Sequence, residues 1–229
     1  VWLAATLSEA EGTGGDMGLG VFVNRSTDGI AWGRPVAAAA NPAERYDKDW
    51  IVCDNWASSP FRGRCYLTYV DFARSAISTR RSTDGGLTWS APVAVQPMER
   101  SSSIMNGPVP VVRPDGALLI PFSVFAALDG DDEIGVLRST DGGVTFGPPA
   151  RIARLLNEDV AGMRAPPFAS AAVDRGGRVY VSWSDARYRD EATADDIVVA
   201  SSRDGVAWSQ PALVPIEPDG STVDLFIPA

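Results

Sequence analysis

Ser82-Thr83-Asp84-Gly85-Gly86-Leu87-Thr88-Trp89 is a phrase that the chain repeats. Ser139-Thr140-Asp141-Gly142-Gly143-Val144-Thr145-Phe146 is nearly a copy. Ser26-Thr27-Asp28-Gly29-Ile30-Ala31-Trp32 and Ser202-Arg203-Asp204-Gly205-Val206-Ala207-Trp208 are copies shortened by one residue. The aspartates are spaced 56 (28 to 84), 57 (84 to 141) and 63 (141 to 204) residues apart. Such a period points to a repeat architecture built from one supersecondary unit.

Each copy lies between two apolar, strand-like runs, the first ending in Ser and the second beginning at the aromatic residue. Asp-Gly between strands signals a hairpin, because glycine accepts the positive φ of the turn. The carboxylate and the serine hydroxyl can take backbone N–H groups and close the loop on itself. The aromatic side chain can then pack beneath the turn. Four alike turns are expected of a repeat, whereas four alike catalytic sites would be odd, so the aspartates are read as structural.

The phrase S-x-D-G-G-x-T-W resembles the Asp box of sialidases and of the wider bacterial-neuraminidase-repeat (BNR) β-propellers, over nearly the whole chain. The resemblance implies an all-β propeller of four-stranded antiparallel blades, with the boxes on the face away from any active site. It also implies a carbohydrate or glycoprotein as partner. An active member would carry three arginines on a substrate carboxylate, a Tyr nucleophile assisted by Glu, and an Asp acid/base. The family's Arg-Ile-Pro motif is missing, and Gly33-Arg34-Pro35 follows a box and does not replace it.

The 229 residues suffice for one domain with a substantial core, and 45% of them are hydrophobic. No run approaches the roughly 20 apolar residues of a membrane span. A net charge of −9 with no basic stripe argues against nucleic acid. The chain has no histidine, which excludes a Ser-His-Asp triad and the usual zinc sites. Cys53 and Cys65 flank a loop between neighbouring strands, so a cross-strand disulfide is feasible, with a free buried pair as the alternative. A bridge would favour a secreted or extracytoplasmic location. The chain begins at Val1 without initiator Met or signal peptide and reads as a mature or excised piece.

Four units parse at about 1–40, 41–98, 99–156 and 157–216, each box joining a third strand to a fourth. The second has strands near 49–54, 64–71, 75–82 and 90–96. The third has 108–113, 117–125, 133–139 and 147–153, and the fourth has 168–174, 178–185, 196–202 and 209–215. No segment keeps a helical period. Four strands per repeat is the pattern of a propeller blade. The first unit lacks an innermost strand, and residues 217–229 read as a lone innermost strand. It either completes the first blade of a four-bladed ring or opens the next blade of a longer, six-bladed propeller.

Loops opposite the boxes are longer and richer in charge, and binding residues concentrate on such loops. Asp71, Asp185, Arg164, Arg187 and Tyr188 are the candidates for catalysis there. Arg45, Asp47, Asp49, Arg100 and Asn106 are the candidates for ligand binding. The alternatives are solvated charge for the arginines and backbone-capping carboxylates for Asp71 and Asp185. No residue is assigned to a metal and no cofactor is expected. The oxygen-rich stretches Asp129-Gly130-Asp131-Asp132-Glu133 and Asp190-Glu191 to Asp195-Asp196 suit calcium in chemistry but not in EF-hand spacing, and charged solvated loops are the other reading. The sequon Asn24-Arg25-Ser26 runs into a box and is incidental. Two functions are open: exo-hydrolysis of terminal sialic acid, or non-catalytic extracellular glycan or protein binding.

Overall fold

The computed structural model describes residues 1–9, 18–41, 44–95, 103–126, 131–157, 162–189, 194–218, 222–226 and 228. They form sixteen strands in chain order and no helix: β1 (Trp2–Glu9), β2 (Gly18–Ser26), β3 (Val36–Ala39), β4 (Tyr46–Cys53), β5 (Cys65–Asp71), β6 (Ala76–Ser82), β7 (Val93–Val95), β8 (Ile104–Asn106), β9 (Val111–Val112), β10 (Leu118–Phe125), β11 (Glu133–Ser139), β12 (Ala150–Arg154), β13 (Ser170–Val173), β14 (Val179–Asp185), β15 (Asp196–Ser202) and β16 (Ala212–Leu213). All pairings are antiparallel, in sheets of seven, five and four strands. The first sheet divides at a single pair, Gly18 with Tyr46, so the chain builds four successive units. Among the described residues no helix is long and apolar enough to cross a membrane.

The units stack face to face in chain order, because each middle strand feeds two cores. Leu67 packs with Val21, Val23 and Tyr69 towards the first unit. Its neighbour Tyr66 packs with Met105, Leu118 and Phe122 towards the third. In the same way Leu118 faces the second unit while Leu119 joins Val179, Val181 and Trp183 of the fourth. Successive side chains of a strand point to opposite faces, so a strand covered on both sides is apolar throughout. β5 is accordingly buried along its whole length. β14 alternates between buried and half-buried over Val179–Ser182, because only one face of the last unit is covered.

The four repeated turns are built alike. The Ser82 hydroxyl donates to Asp84 Oδ1 at 2.8 Å and accepts the Gly86 N–H at 2.8 Å. Asp84 Oδ1 accepts the N–H groups of Leu87 and Thr88, and its Oδ2 takes the Thr88 hydroxyl at 2.6 Å. Ser139, Asp141 and Thr145 repeat this arrangement. In the shorter copies Asp28 and Asp204 take two backbone N–H groups each and have no such threonine. Trp89, Phe146 and Trp208 each pack against a core between units. Gly86 has φ +85°, and a Cβ there would lie 2.8 Å from Leu3 of the preceding unit, so this turn also sets how closely units approach.

These bonds hold the turn carboxylates below the ordinary range. The Thr88 hydroxyl and N–H are the main causes for Asp84. Burial opposes the charge of Asp141, but the Thr145 hydroxyl and N–H and Ser139 outweigh it and bring the carboxyl to about 2. The Ile30 and Ala31 N–H groups lower Asp28, and those of Val206 and Ala207 lower Asp204. A carboxyl with a depressed folded pKa binds more protons unfolded than folded in that interval. Its stabilisation is complete above the unfolded value of 3.8 and fades as pH falls towards 2. The urea midpoint is therefore expected to be flat above about pH 5 and to fall below pH 4. Thr145→Val should shallow that fall; an identical acid limb in the variant would refute the role given to the hydroxyl.

An arginine from each of the first three units reaches a turn carbonyl of the next. Arg25 Nε donates to Gly85 O at 2.5 Å, and Arg64 Nη1 to Gly142 O at 2.6 Å. Arg113 Nη1 donates to Arg203 O at 2.8 Å and to Gly177 O at 2.5 Å. These contacts gather the repeated turns, the β4–β5 loop and the turns at 114–116 and 174–177 at one end of the molecule. The opposite end collects 44–46, 72–75, 103–107, 155–157, 162–168, 186–189 and 194–196, joined by bonds such as Phe72 N–H to Arg45 O and Ala186 N–H to Leu156 O.

The strand expected at 217–229 is not formed among the described residues 222–226. There Leu225 N–H donates to Asp195 O at 2.9 Å, and Asp224 accepts the Asp195 N–H at 3.0 Å. The segment lies against the start of β15. The opposed pair Cys53 and Cys65, at the end of β4 and the start of β5, is joined as a disulfide.

Candidate functional site

The charged end of the molecule is organised by a bulge in β4. Asp47 pairs with Val70 and Trp50 with Thr68, so Lys48 and Asp49 together oppose one residue, Tyr69. A bulge bends the strand and re-aims its side chains. Lys48 takes φ 50°, shared by only one other non-glycine among the described residues, Ser75. Asp47 Oδ1 accepts the Lys48 N–H at 2.8 Å, which holds that conformation. Asp47 Oδ2 lies 3.5 Å from the Asn106 amide on β8, which links the second unit to the third. Burial, and after it the charge of Asp47, raise the Asp49 carboxyl against the pull of its own N–H. Trp50 is 53% exposed beside it.

Next to the bulge is a hydrogen-bonded network. Asp71 is fully buried; its Oδ1 takes the Arg74 N–H at 3.2 Å and its Oδ2 the Arg74 guanidinium at 2.5 Å. Arg74 also meets Glu44 at 2.6 Å, and Glu44 accepts the Tyr46 hydroxyl. A Tyr–Glu pair therefore exists, three residues of sequence wide. Tyr46 is 4% exposed and stands edge-on to Tyr69, 5.3 Å between centroids. Burial, then Glu44, push its phenol above the usual range. A nucleophilic phenol needs the opposite shift.

Asp185 is also fully buried and committed. It takes the Trp183 indole N–H at 2.8 Å, the Arg187 Nε at 2.7 Å, Arg187 Nη2 at 2.8 Å, and the Arg187 and Leu156 N–H groups. Arg187 also donates to Arg154 O and stands 5.9 Å from the Trp183 ring. Trp183 and Asp185 share one face of β14 at its two-residue period, and Arg187 stands in the turn just after the strand. Tyr188, half-exposed, donates to Pro211 O at 2.7 Å. A buried carboxylate with every acceptor direction filled orders the backbone around it and has no direction left for substrate.

Three cations at this end are uncommitted, as is the Asp49 carboxylate beside them, whose one hydrogen bond among the described residues is from its own N–H. Arg45, Lys48 and Arg164 are exposed, and none has a hydrogen bond or ion pair from its side chain to a described residue. Lys48 Nζ lies 4.9 Å from the centroid of Phe168, four residues after Arg164 in the segment that leads into β13. Sequence reasoning passed over Lys48, although it is the chain's one lysine. Arg100 lies outside the described residues. So do Asp129, Gly130, Asp190 and Glu191 of the oxygen-rich stretches. Among the described residues no three His, Cys, Asp or Glu side chains are grouped to hold a metal. A cavity of about 420 Å³ lies at the other end, lined by Val52, Cys53, Trp56, Val111 and Val173, and offers little polar chemistry.

No family model matches this chain, and no curated protein does. Solved structures share its fold. The NanB sialidase from Streptococcus pneumoniae superposes with TM-score 0.62 at 11% identity, over 95% of this chain and 50% of that one. The intramolecular trans-sialidase from Ruminococcus gnavus gives 0.58 at 12%, over 86% and 64%. A Hadza microbial sialidase gives 0.58 at 17%, over 83% and 40%. The chain thus spans between 40% and 64% of the length of these structures. At such identities the likeness is one of fold.

Proposed function

We propose that this chain is a stretch of a six-bladed, sialidase-type β-propeller, secreted or otherwise extracytoplasmic, that binds a carbohydrate or glycoprotein at its charged end. In this reading the four units are blades, bounded near 1–40, 41–98, 99–156 and 157–216, and the repeated turns are Asp boxes. The segment 217–229 leads on from the fourth blade. Face-to-face stacking in chain order supports it, as does the one-sided burial of β14, which leaves a face for a further blade. The disulfide supports an oxidising compartment.

The observation that carries glycan recognition is the exposed, unpaired set Arg45, Lys48 and Arg164 beside exposed Trp50, in a chain of net charge −9. Guanidinium and ammonium groups suit the carboxylate of an acidic sugar, and an indole face suits the apolar side of a pyranose. Binding is favoured over exo-hydrolysis of terminal sialic acid because Asp71, Asp185 and Tyr46 are committed to structure.

A sialylated-glycan array and a fluorogenic sialoside, run with the wild type and Arg164→Ala, test the reading together. The expected result is binding without turnover, weakened about tenfold in the variant at unchanged melting temperature. Turnover that disappears in the variant would establish the exo-sialidase instead. Neither binding nor turnover would remove the reading altogether.

A further inference from the structure

Lys48 differs from every other basic side chain in the protein. It is the one lysine among 20 Lys and Arg residues. It stands at the crest of the β4 bulge with φ 50°, a conformation that asparagine or glycine would adopt with less strain. Asp47 and Asp49 flank it, yet its ammonium forms an ion pair with neither. Asp47 spends its oxygens on the Lys48 N–H and the Asn106 amide. The ammonium instead stands 4.9 Å from the Phe168 centroid, a contact between the second unit and the fourth.

That ring is held in place for a reason legible in the backbone. Gly107, at φ +63°, lies so close to Phe168 that a Cβ would come within 2.6 Å of the ring. Asn106 Oδ1 takes the Gly107 N–H at 2.7 Å and fixes this turn. Three units thus contribute to one construction: a bulge that lifts the lysine, an Asn-Gly turn that leaves room, and a ring that receives the cation. An ammonium over a ring keeps N–H donors directed away from it, and here they meet solvent.

We propose that Lys48 is the residue that selects an anionic sugar, its ammonium taking the carboxylate of an acidic monosaccharide while Phe168 holds it in position. The proposal deepens the glycan-binding reading and rests on it. A compact ammonium suits one carboxylate oxygen as a point charge, whereas Arg45 and Arg164 at the same end can supply forked contacts.

The test uses the full chain and the uniqueness of this lysine. Reductive ¹³C-methylation, which preserves the charge, gives one lysine resonance beside that of the terminal amine. The probes are N-acetylneuraminic acid and glucuronic acid, each beside its methyl ester. The lysine resonance is expected to move with a free acid and not with its ester. Lys48→Gln should weaken binding of that acid about ten- to a hundredfold and leave the ester's affinity unchanged, and Lys48→Arg should restore most of the loss. A lysine that only braces Phe168 would weaken acid and ester alike, and equal binding of acid and ester by the wild type would also overturn the proposal. Binding of acid over ester that survives Lys48→Gln would assign selection to the arginines. Binding of none of the four probes would overturn both this proposal and the glycan reading.

Discussion

Removing the Cys53–Cys65 bridge, as the double variant Cys53→Ser, Cys65→Ser or by reduction, is expected to lower stability by about 3 kcal/mol. The two residues oppose one another across β4 and β5 and close a loop with a sequence separation of 12. Freeing a loop of that size returns conformational entropy to the unfolded chain. The loss also acts beyond the loop. Trp56 within it donates its indole N–H to Val112 O at 2.6 Å, and the Ser58 hydroxyl donates to Pro114 O at 2.7 Å. Both acceptors belong to the third unit, so loosening the loop loosens the joint between units two and three. Asp54, fully buried, keeps part of the loop ordered through the Trp56 N–H and the Ser59 hydroxyl. The reduced protein should therefore fold. Urea unfolding with and without reductant measures the effect, and an unmoved midpoint would show that the bridge adds nothing to this joint.

Arg113→Met is expected to destabilise by about 3 kcal/mol while leaving the aliphatic volume nearly unchanged. Arg113 is 9% exposed and ties the Gly177 and Arg203 carbonyls of the fourth unit to the end of β9. Its partner Asp115 also meets it at 3.3 Å. The methionine would strand two backbone acceptors at the contact between units, and a stranded buried acceptor costs more than an intact bond contributes. Arg34→Met, on an exposed arginine, should change stability by less than about 0.5 kcal/mol. Comparable losses in both variants would mean that general charge, and not the contact between units, sets the effect. A broadened transition in Arg113→Met alone would mark partial uncoupling of the fourth unit.

Much of the fold was legible because its signals are local. A serine, an aspartate and one or two glycines close a turn within a few residues, so the four turns and the strands around them follow from short-range hydrogen bonding. The strands read from the sequence lie within a few residues of observed ones, and those of β11 and β15 coincide with them, whereas β8 had no counterpart. An apolar stretch such as the tail has strand propensity wherever it lies. Its pairing depends on a neighbour, and the described residues 222–226 meet the start of β15 instead.

The candidate site was less legible. Asp71 and Asp185 end alike strands and invite one role, but the arginines that meet them bring different partners. Both arginines stand in the turn after the strand, but Arg187 meets Asp185 through Nε and Nη2 while the Trp183 indole adds a third donor, whereas Arg74 meets Asp71 through Nη1 and brings Glu44 and Tyr46 with it. Sequence by itself determined the repeat, the all-β class and the turn chemistry, because each is fixed by neighbours along the chain. Only the tertiary structure decided which charges are spent and which are free. Arg25, Arg64 and Arg113 look like surface charges until the next unit supplies a carbonyl 60 to 90 residues away. Lys48 looks paired with the aspartates beside it until the bulge turns its ammonium towards Phe168. Electrostatic partnership is set by distance in space, and in a stacked-unit fold that distance is decided by which unit packs against which.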